Sequence, residues 1–489
     1  MELSLGGLGP NRSLEKKTGA PENLKIELDL TWFFDAPNQP TPITKHQVEA
    51  LAPAAVKALK DLKAGKGRNK DGETVMLGWQ DLPSRLDRAY LGTINAAARE
   101  LSDKIDAYVS LGIGGSYLGL EATVRALKHN RLNQLPRDQR GTPEIYFLGQ
   151  NLDPDYIRDT LDLLAGRRVG INVISKSGAT TETALAFRII RRLMEDSYGH
   201  KATDLTFVTT DAEKGALRRL AREKGYRTFV VPGDVGGRFS VLSEVGLVGL
   251  AVAGVDLESL AAGFEAMRRR TETEEFWSNP ALVHAACRFA AHAAGKQIEV
   301  VVANSTGFYH VARWMEQLFP ESEGHEGQGL WISPAMFSEK LHANGQMIQE
   351  GRRNLFETFL NLQRPDNSLA IPPDPEDSDG LGYLSDRGAK VEELNTLIIQ
   401  GPAYAHFQAG TPSLALNIPR RHPYCLGQLY YLMERSVAVS GYMMGLNPFV
   451  QPGVEAYKKA VFALAGKQGY EEQREAMGSA LKTRERIIV

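Results

Sequence analysis

From about residue 105 to about residue 235, short apolar runs alternate with stretches whose apolar residues recur at helical spacing. The runs predicted as strands are AYVSLGIGG, EIYFLG, VGINVISKS, DLTFVTT and RTFVVPG. Helices are predicted between them, in YLGLEATVRAL and around residues 161–164, 185–194 and 217–220. Because strands that alternate with helices form right-handed crossovers, the pattern predicts an α/β domain with a mostly parallel sheet covered on both faces.

A second series of the same kind begins near residue 297. Its candidate strands are QIEVVVANS, LWISPAMF, FETFLNL and SLALNIPR, with helices such as HVARWMEQLF between them. The likeness to the first series is architectural, without a letter-by-letter repeat. We therefore predict a helical N-terminal segment over 1–100, a first α/β domain over 101–270 and a second over 271–489, which ends in helices.

Two further helical stretches are predicted at about 241–294 and 422–445. The apolar run 245–255 has 11 residues before Asp256, fewer than the roughly 20 that span a bilayer, so it is predicted as a buried helix. The segment RPDNSLAIPPDPEDSDG is rich in Pro and Asp and is predicted as a surface excursion.

Length and charge narrow the classes of function. A chain of 489 residues suits two or three domains. With 57 basic and 59 acidic side chains, the net charge is -2, so no global field favours nucleic acid or a membrane as partner. The start of the chain lacks a leader pattern, and Cys287 and Cys425 form no CxxC motif. We expect a cytoplasmic protein in which any anion site is local.

A glycine turn, Gly112, Gly114, Gly115 and Ser116, follows the first predicted strand. Bare glycines let a ligand approach the backbone, and the start of the next helix offers N–H groups to an anion. The turn is not the dinucleotide fingerprint, because Tyr117 stands where the third glycine would be. A tight strand-to-helix turn without a ligand explains the pattern equally well.

A stronger signal for an anion site is the run SKSGATTET, which follows the strand VGINVI. Its hydroxyl residues are Ser175, Ser177, Thr180, Thr181 and Thr183. Hydroxyls at a helix start suit a phosphate monoester. The three Gly-Lys pairs of the chain are followed by Gly or Gln, which disfavours a P-loop for nucleoside triphosphate. The alternative is an elaborate helix cap.

Three charged or titratable side chains near other turns are candidates for binding an oxyanion or for transferring a proton. Arg238, between glycines and a helix start, could hold an oxyanion, although a surface turn is equally compatible. In ESEGH, Glu321 could abstract a C–H proton, and His342 could move a hydroxyl proton. A solvated acidic loop and a structural histidine are the common alternatives. No two histidines are spaced i, i+4, so no metal site is predicted.

In this order, the motifs resemble the bacterial branch of the glucose-6-phosphate isomerase family. The resemblance is carried by GWQDLP, LGIGGSYLG, SKSGATTET, GGRFSVLS, ESEG, LHANGQ and NPFVQPGVEAYKK, over about residues 75–470. It implies two sugar-isomerase (SIS) domains of flavodoxin-like design. It also implies interconversion of glucose 6-phosphate and fructose 6-phosphate through ring opening and a cis-enediol intermediate, without a cofactor.

The resemblance further implies roles for single residues. Glu321 corresponds to the base that moves a proton between C2 and C1, and Arg238 to the cation beside the enediolate oxygens. His342 and Lys458 correspond to residues that assist ring opening; on pattern alone, a lysine of a helix such as VEAYKK lies on a solvated face. The implied substrate and phosphate contacts are Gly114, Ser116, Ser175, Ser177, Thr180, Glu182, Thr183 and Gln451.

The family completes its active site across a dimer, with the ring-opening histidine supplied by the partner chain. The resemblance therefore implies a homodimer that binds a small phosphosugar. Three residues depart from the family pattern: His325 stands in place of Lys, Ala179 in place of Thr and Val450 in place of Asp. Two alternatives stay open, namely a non-catalytic phosphosugar-binding regulator on the same domains and an isomerase of another sugar phosphate.

Overall fold

The structure is a computed structural model that describes residues 21–37, 41–65, 76–485 and 487–488. The first 20 residues of the predicted N-terminal segment lie outside the described residues. The strands are β1 (Glu27–Asp29), β2 (Ala107–Leu111), β3 (Glu144–Leu148), β4 (Val169–Ile174), β5 (Thr206–Thr210), β6 (Arg227–Val230), β7 (Ile298–Ala303), β8 (Trp331–Met336), β9 (Leu355–Arg364) and β10 (Ser413–Arg420). All nine strands predicted from apolar runs are confirmed as β2 to β10.

Helices connect and cover the strands. They are α1 (Lys45–Ala50), α2 (Ala52–Lys63), α3 (Leu82–Arg85), α4 (Arg88–Ser102), α5 (Leu118–Leu127), α6 (Arg137–Arg140), α7 (Pro154–Leu164), α8 (Thr181–Tyr198), α9 (Ala216–Lys224), α10 (Glu244–Val252), α11 (Leu257–Arg270), α12 (Pro280–Ala293), α13 (Thr306–Glu323), α14 (Gly345–Glu350), α15 (Gly382–Ser385), α16 (Val391–Gln408), α17 (Pro423–Met443), α18 (Val454–Leu464) and α19 (Glu471–Thr483). The α/β class is therefore confirmed.

The two sheets share one topology. The first sheet has the order β3-β2-β4-β5-β6 and is parallel throughout. The second has the order β8-β7-β9-β10, also parallel, and then β1 at its edge. In both sheets the first strand of the series lies inside, with the second strand on one side and the later strands on the other. This common order is the structural form of the architectural likeness predicted from sequence.

Strand β1 fills the edge that β6 fills in the first sheet, but it runs antiparallel. Its residue Asp29 pairs with Ala415 of β10, and Ala415 pairs on its other side with Phe359 of β9. The segment 27–29 comes first along the chain, and it joins the sheet whose other strands come last along the chain. It carries no apolar run, so sequence patterning did not predict it.

Buried helices join the two sheets. Helix α17 packs against α11, α12 and α13, and nearly all of its side chains are buried. Helix α10 is also buried, which confirms the prediction for 245–255. No helix in the described part of the chain is long and apolar enough to cross a membrane. The residues of 365–380 form no helix or long strand and are mostly exposed, as expected of a surface excursion.

Because the first sheet is parallel, the turns that follow its strands all open at the carboxyl-end edge. The turn after β2 leads into a short 3₁₀ helix, Gly114–Ser116. The SKSGATT segment follows β4, the strand that pairs with β2. A second 3₁₀ helix, Gly237–Phe239, follows β6 and packs against the first. The candidate phosphate and arginine motifs are therefore held at one edge.

Candidate active site

The hydroxyl-rich loop after β4 is shaped by its own side chains. The Ser175 hydroxyl accepts a hydrogen bond from the Gly178 N–H at 3.0 Å, and the Ser177 hydroxyl accepts one from the Ala179 N–H at 3.2 Å. Gly178 has a φ of +68°, and a β-carbon there would lie 2.4 Å from the Leu217 nitrogen. Only glycine fits this turn, because the start of helix α9 packs directly against it.

Thr180 is the N-cap residue of α8, yet its side chain makes no capping hydrogen bond. The first N–H groups of α8 therefore face the loop without the usual side-chain acceptor. Glu182 lies half-buried in the first turn of α8, and Ser116 lies half-buried at the end of the adjacent strand's turn. This arrangement favours an anion site over an elaborate helix cap.

Thr183 is the member of the predicted phosphate set that lies inside the protein. Its side chain is 1% exposed, and its hydroxyl has no hydrogen-bond partner among the described residues. Together with Ser175 and Phe187, it lines a cavity of about 170 Å³ between α8 and α9. Thr183 therefore lies behind the loop rather than at its surface.

Arg238 is a buried charged group at this edge, with 3% of the residue exposed. Its Nε donates to the Ser322 hydroxyl at 2.7 Å, and its Nη2 donates to the carbonyl oxygens of Pro448 at 2.6 Å and Val450 at 3.2 Å. Its Nη1 donates to the Gln451 side-chain oxygen at 2.9 Å. Of the two alternatives for this residue, the surface arginine is excluded, because the guanidinium is buried and all three of its nitrogens donate hydrogen bonds.

Glu321, at the end of helix α13, lies beside Arg238. Its Oε1 lies 3.2 Å from Arg238 Nη1, and its side chain keeps 22% exposure. Its Oε2 accepts a hydrogen bond from Gln317 Nε2 at 2.9 Å. A carboxylate with both oxygens held and one side open can reach a bound molecule in a fixed orientation. Burial lowers the pKa of Arg238 and the adjacent Glu321 opposes that shift, but an arginine stays protonated in proteins.

Glu321 lies in the last turn of helix α13, and the sequence ESE is not the solvated loop that its composition favoured. Ser322 and Glu323 are fully buried. Ser322 accepts from Arg238, and Glu323 forms an ion pair with the buried Arg288 at 2.7 Å. The expectation of a loop is wrong because both acidic side chains find arginine partners from distant parts of the chain.

Gln317 was missed by sequence reasoning. It lies one helical turn before Glu321, on the same face of α13. It also lies against the glycine turn after β2, since a β-carbon on Gly114 would lie 3.0 Å from Gln317 Nε2. Gly114 has a φ of +56°, so its backbone conformation also favours glycine. The i, i+4 spacing from a candidate base was the signal that could have identified this residue.

The structure shows the surroundings of the three residues that depart from the family pattern. The ring of His325 contacts the Asn447 carbonyl oxygen at 3.2 Å through Nε2. Val450 contributes its backbone carbonyl to Arg238, a contact that any side chain at this position permits. Ala179 is exposed in the loop after β4. The arginine and carboxylate of the candidate site are thus assembled with these three residues in place.

Among the described residues, Glu321 forms its ion pair and hydrogen bond with Arg238 and Gln317, and neither contact involves His342 or Lys458. His342 is exposed at the end of the 3₁₀ helix Glu339–His342. Lys458 lies on α18, where its ammonium pairs with Glu455 at 2.9 Å and its side chain is 39% exposed. The described ranges contain no group of three or more His, Cys, Asp or Glu residues that could hold a metal ion.

The chain is similar to known proteins in sequence and in fold. A model of the phosphoglucose isomerase family matches residues 63–330. A glucose-6-phosphate isomerase of Bacillus cereus is 43% identical over 450 residues, which are 92% of this chain and 99% of that relative. A glucose-6-phosphate isomerase of Bacillus anthracis is 43% identical with the same coverage.

Solved structures show the same similarity. A hypothetical protein from Thermus thermophilus aligns with a TM-score of 0.79 at 28% identity, over 91% of this chain and 100% of that one. A glucose-6-phosphate isomerase from Chlamydia trachomatis aligns with a TM-score of 0.72 at 19% identity, over 90% of each chain. At 19% identity, the alignment with the Chlamydia trachomatis structure shows a common fold.

Proposed function

The chain belongs to the phosphoglucose isomerase family and catalyses the reversible isomerisation of glucose 6-phosphate and fructose 6-phosphate, and from this premise we propose that Glu321 is the base of the reaction. The observation that carries the proposal is the placement of its carboxylate. One oxygen lies 3.2 Å from the Arg238 guanidinium, and the other accepts from Gln317 at 2.9 Å. A fixed, partly open carboxylate beside a buried cation suits abstraction of a proton next to a carbonyl.

In the proposed step, the Glu321 carboxylate removes the proton from C2 of the open-chain aldose. The C–H electrons form the C1–C2 double bond, and the carbonyl electrons move to the C1 oxygen, which gives a cis-enediolate. Arg238 stabilises the negative charge on its oxygens, and the proton of the C2 hydroxyl passes to the C1 oxygen. The electrons left on the C2 oxygen then form the C2 carbonyl, the double-bond electrons take the proton back from Glu321 at C1, and the ketose forms. Gln317 orients the Glu321 carboxylate, and Gln451 orients the Arg238 guanidinium.

The phosphate end of the substrate is proposed to lie in the loop after β4. Ser175, Ser177 and Thr180 surround the start of α8, whose N–H groups lack a capping side chain. Ser116 and Gly114 border the same edge of the sheet from the adjacent turn. Glu182 and Thr183 support the loop from the first turn of α8, where Thr183 is buried.

Ring opening is assigned to His342 and Lys458. The substrate is mainly a closed ring in water, so a proton must pass from the anomeric hydroxyl to the ring oxygen before C2 is exposed to Glu321. His342 is exposed in one chain, and we propose that it enters the active site of a second copy. The protein is therefore proposed to be a homodimer with two shared sites.

We place the reaction in the cytoplasm. Both cysteines, Cys287 and Cys425, are free and buried, and free thiols are typical of a reducing compartment. Burial raises the pKa of the Cys425 thiol to about 11, although the nearby Arg420 opposes the shift. A thiol with a raised pKa is a poor nucleophile, so it fits a structural role.

The test compares Glu321→Gln with Glu316→Gln, a matched change at an exposed position of the same helix. Fructose 6-phosphate is supplied in deuterium oxide, and formation of glucose 6-phosphate and deuterium at C2 are both measured, with and without a chelator. Glu316→Gln should retain turnover and labelling, whereas Glu321→Gln should lose both by at least about 1,000-fold. Full activity of Glu321→Gln, or loss of activity on chelation, would contradict the proposal.

A further inference from the structure

A buried ionic network lies directly behind the proposed base. The guanidinium of Arg288, on α12, contacts Glu299 of β7 at 2.7 Å and Glu323 of α13 at 2.7 Å, and all three side chains are 0% exposed. Neither acid has a role in the reaction proposed above. Their positions link the end of α13 to a helix and a strand of the second domain.

Each carboxylate of this network also has its own hydroxyl donor. Ser440, on α17, donates to Glu323, and Thr358, on β9, donates to Glu299 at 2.7 Å. The guanidinium of Arg288 lies over the ring of Phe319, 3.9 Å from its centroid. Glu323 is therefore fixed from two directions, by α12 and by α17.

Stability alone explains this network poorly. Burying three charges carries a desolvation cost that is often larger than the attraction between them. The Nη2 of Arg288 also has no hydrogen-bond partner among the described residues, and a buried donor without a partner is destabilising. We therefore interpret this network as fixing the relative positions of the segments that it joins, rather than as increasing the free energy of unfolding.

The element that it fixes is the last turn of α13. Helix ends fray easily, and Pro320 removes one backbone donor within this turn. Three consecutive residues of the turn bind two buried arginines: Glu321 and Ser322 contact Arg238, and Glu323 contacts Arg288. The turn is thus held on one side by the active site and on the other by the network.

We infer that Arg288 and Glu323 are positioning residues for the isomerisation, and that their buried ion pair holds the last turn of α13 so that the Glu321 carboxylate stays beside Arg238. They touch no reacting atom and act through Glu321. The inference rests on the proposed function, because it gives Glu321 the role of the base.

The test uses two isosteric variants. Each one removes the charge of one of the two carboxylates that contact Arg288. Glu323→Gln weakens the contact to the turn that carries Glu321, and Glu299→Gln weakens the contact to β7. Both should lower the melting temperature by similar amounts, since they disturb the same network. In Glu323→Gln we expect kcat to fall about 10- to 100-fold with KM within about threefold, because a displaced base affects chemistry more than binding.

In Glu299→Gln, kcat and KM should both stay within about threefold of the parent values. Equal losses of kcat in the two variants, or an unchanged kcat in a folded Glu323→Gln, would overturn the inference. If either variant does not fold, the pair Ser440→Ala and Thr358→Ala repeats the comparison with smaller changes. The same unequal effect on kcat is then expected, and equal effects would again overturn it.

The result is separable from that of the proposed function. If Glu321→Gln stays active, the base is another residue and the proposed function fails whatever the network does. If Glu321→Gln is inactive while Glu323→Gln and Glu299→Gln behave alike, Glu321 keeps its role and only the positioning inference fails.

Discussion

Gly115 and Gly237 are in backbone contact across the active-site edge of the first sheet. A β-carbon on Gly115 would lie 2.0 Å from the Gly237 carbonyl oxygen and 2.7 Å from the Arg238 nitrogen. The turn after β2 and the turn that carries Arg238 can approach this closely only because residue 115 has no side chain. The position of the arginine therefore depends on a glycine in a different loop.

The change Gly115→Ala should move the turn that carries Arg238, because backbone atoms cannot yield as the end of a flexible side chain can. We expect kcat/KM to fall by at least about 100-fold, as a displacement of about 1 Å near reacting atoms has effects of that size. The matched change is Gly92→Ala on helix α4, where a β-carbon would meet nothing within 4 Å. Isomerase assays and thermal unfolding of both variants check this, and wild-type activity in Gly115→Ala would contradict it.

Arg238→Lys should separate charge from geometry at the same site. Lysine keeps the positive charge, but it cannot reproduce contacts to Ser322, Gln451 and the carbonyl oxygens of Pro448 and Val450 at once. We expect kcat to fall about 100- to 1,000-fold, the range for loss of a group that stabilises an oxyanion. Arg192→Lys, which changes an exposed arginine paired with Asp196, should leave kcat unchanged. Comparable kcat values for the two variants would show that charge alone is sufficient at position 238.

The strands were predictable because buried parallel strands are nearly continuous apolar runs. Strand β4, Val169–Ile174, is buried at every position, and a pattern of that kind is visible without tertiary information. Strand β1 has the sequence ELD and is only partly buried. Its strand conformation comes from pairing with β10, a contact between residues almost 390 positions apart in the chain, and no local pattern encodes that.

The same contrast separates the parts of the candidate site. Glu321 and Arg238 were identified from motifs in which charged residues stand beside glycines or a helix end. The burial of Glu323 was not predictable, because charged residues are usually exposed and its partner Arg288 lies 35 residues away in sequence. Arg288 itself belongs to the apolar helix PALVHAACRFAAHA, where a lone arginine gives no sign of the carboxylates that will surround it.

His284 predicts a dependence of stability on pH. Burial, and then the charge of Arg288, lower the pKa of His284 to about 3, whereas an imidazole in the unfolded chain titrates near 6.5. Between these values the unfolded chain binds a proton that the folded chain does not. The free energy of unfolding should therefore fall as pH decreases below about 6.5, by about 2 kcal/mol between pH 7 and pH 5 from this group alone.

The measurement compares denaturant unfolding of the parent with His284→Gln and with His200→Gln, the latter at an exposed position. His284→Gln should lose that part of the pH dependence, although its stability at pH 7 also falls because the ring packs beside Phe319 and contacts Ser436. His200→Gln should keep the slope of the parent. An unchanged slope in His284→Gln would contradict the prediction, because it would show that His284 binds protons equally in the folded and unfolded chains.

The proposed sharing of the active site between two copies predicts that two inactive variants restore activity when they are mixed. Glu321→Gln lacks the proposed base but keeps His342, whereas His342→Ala keeps the base. If His342 acts in the partner's site, a mixed dimer has one site with both groups and one with neither. Random exchange of subunits should then recover about a quarter of the parent activity. No such recovery is expected from mixing Glu321→Gln with Arg238→Lys, because these two residues contact each other within one chain and every site of the mixed dimer then lacks one of them. Absence of recovery in the first mixture, with subunit exchange demonstrated by mass, would place His342 in its own chain's site or outside catalysis.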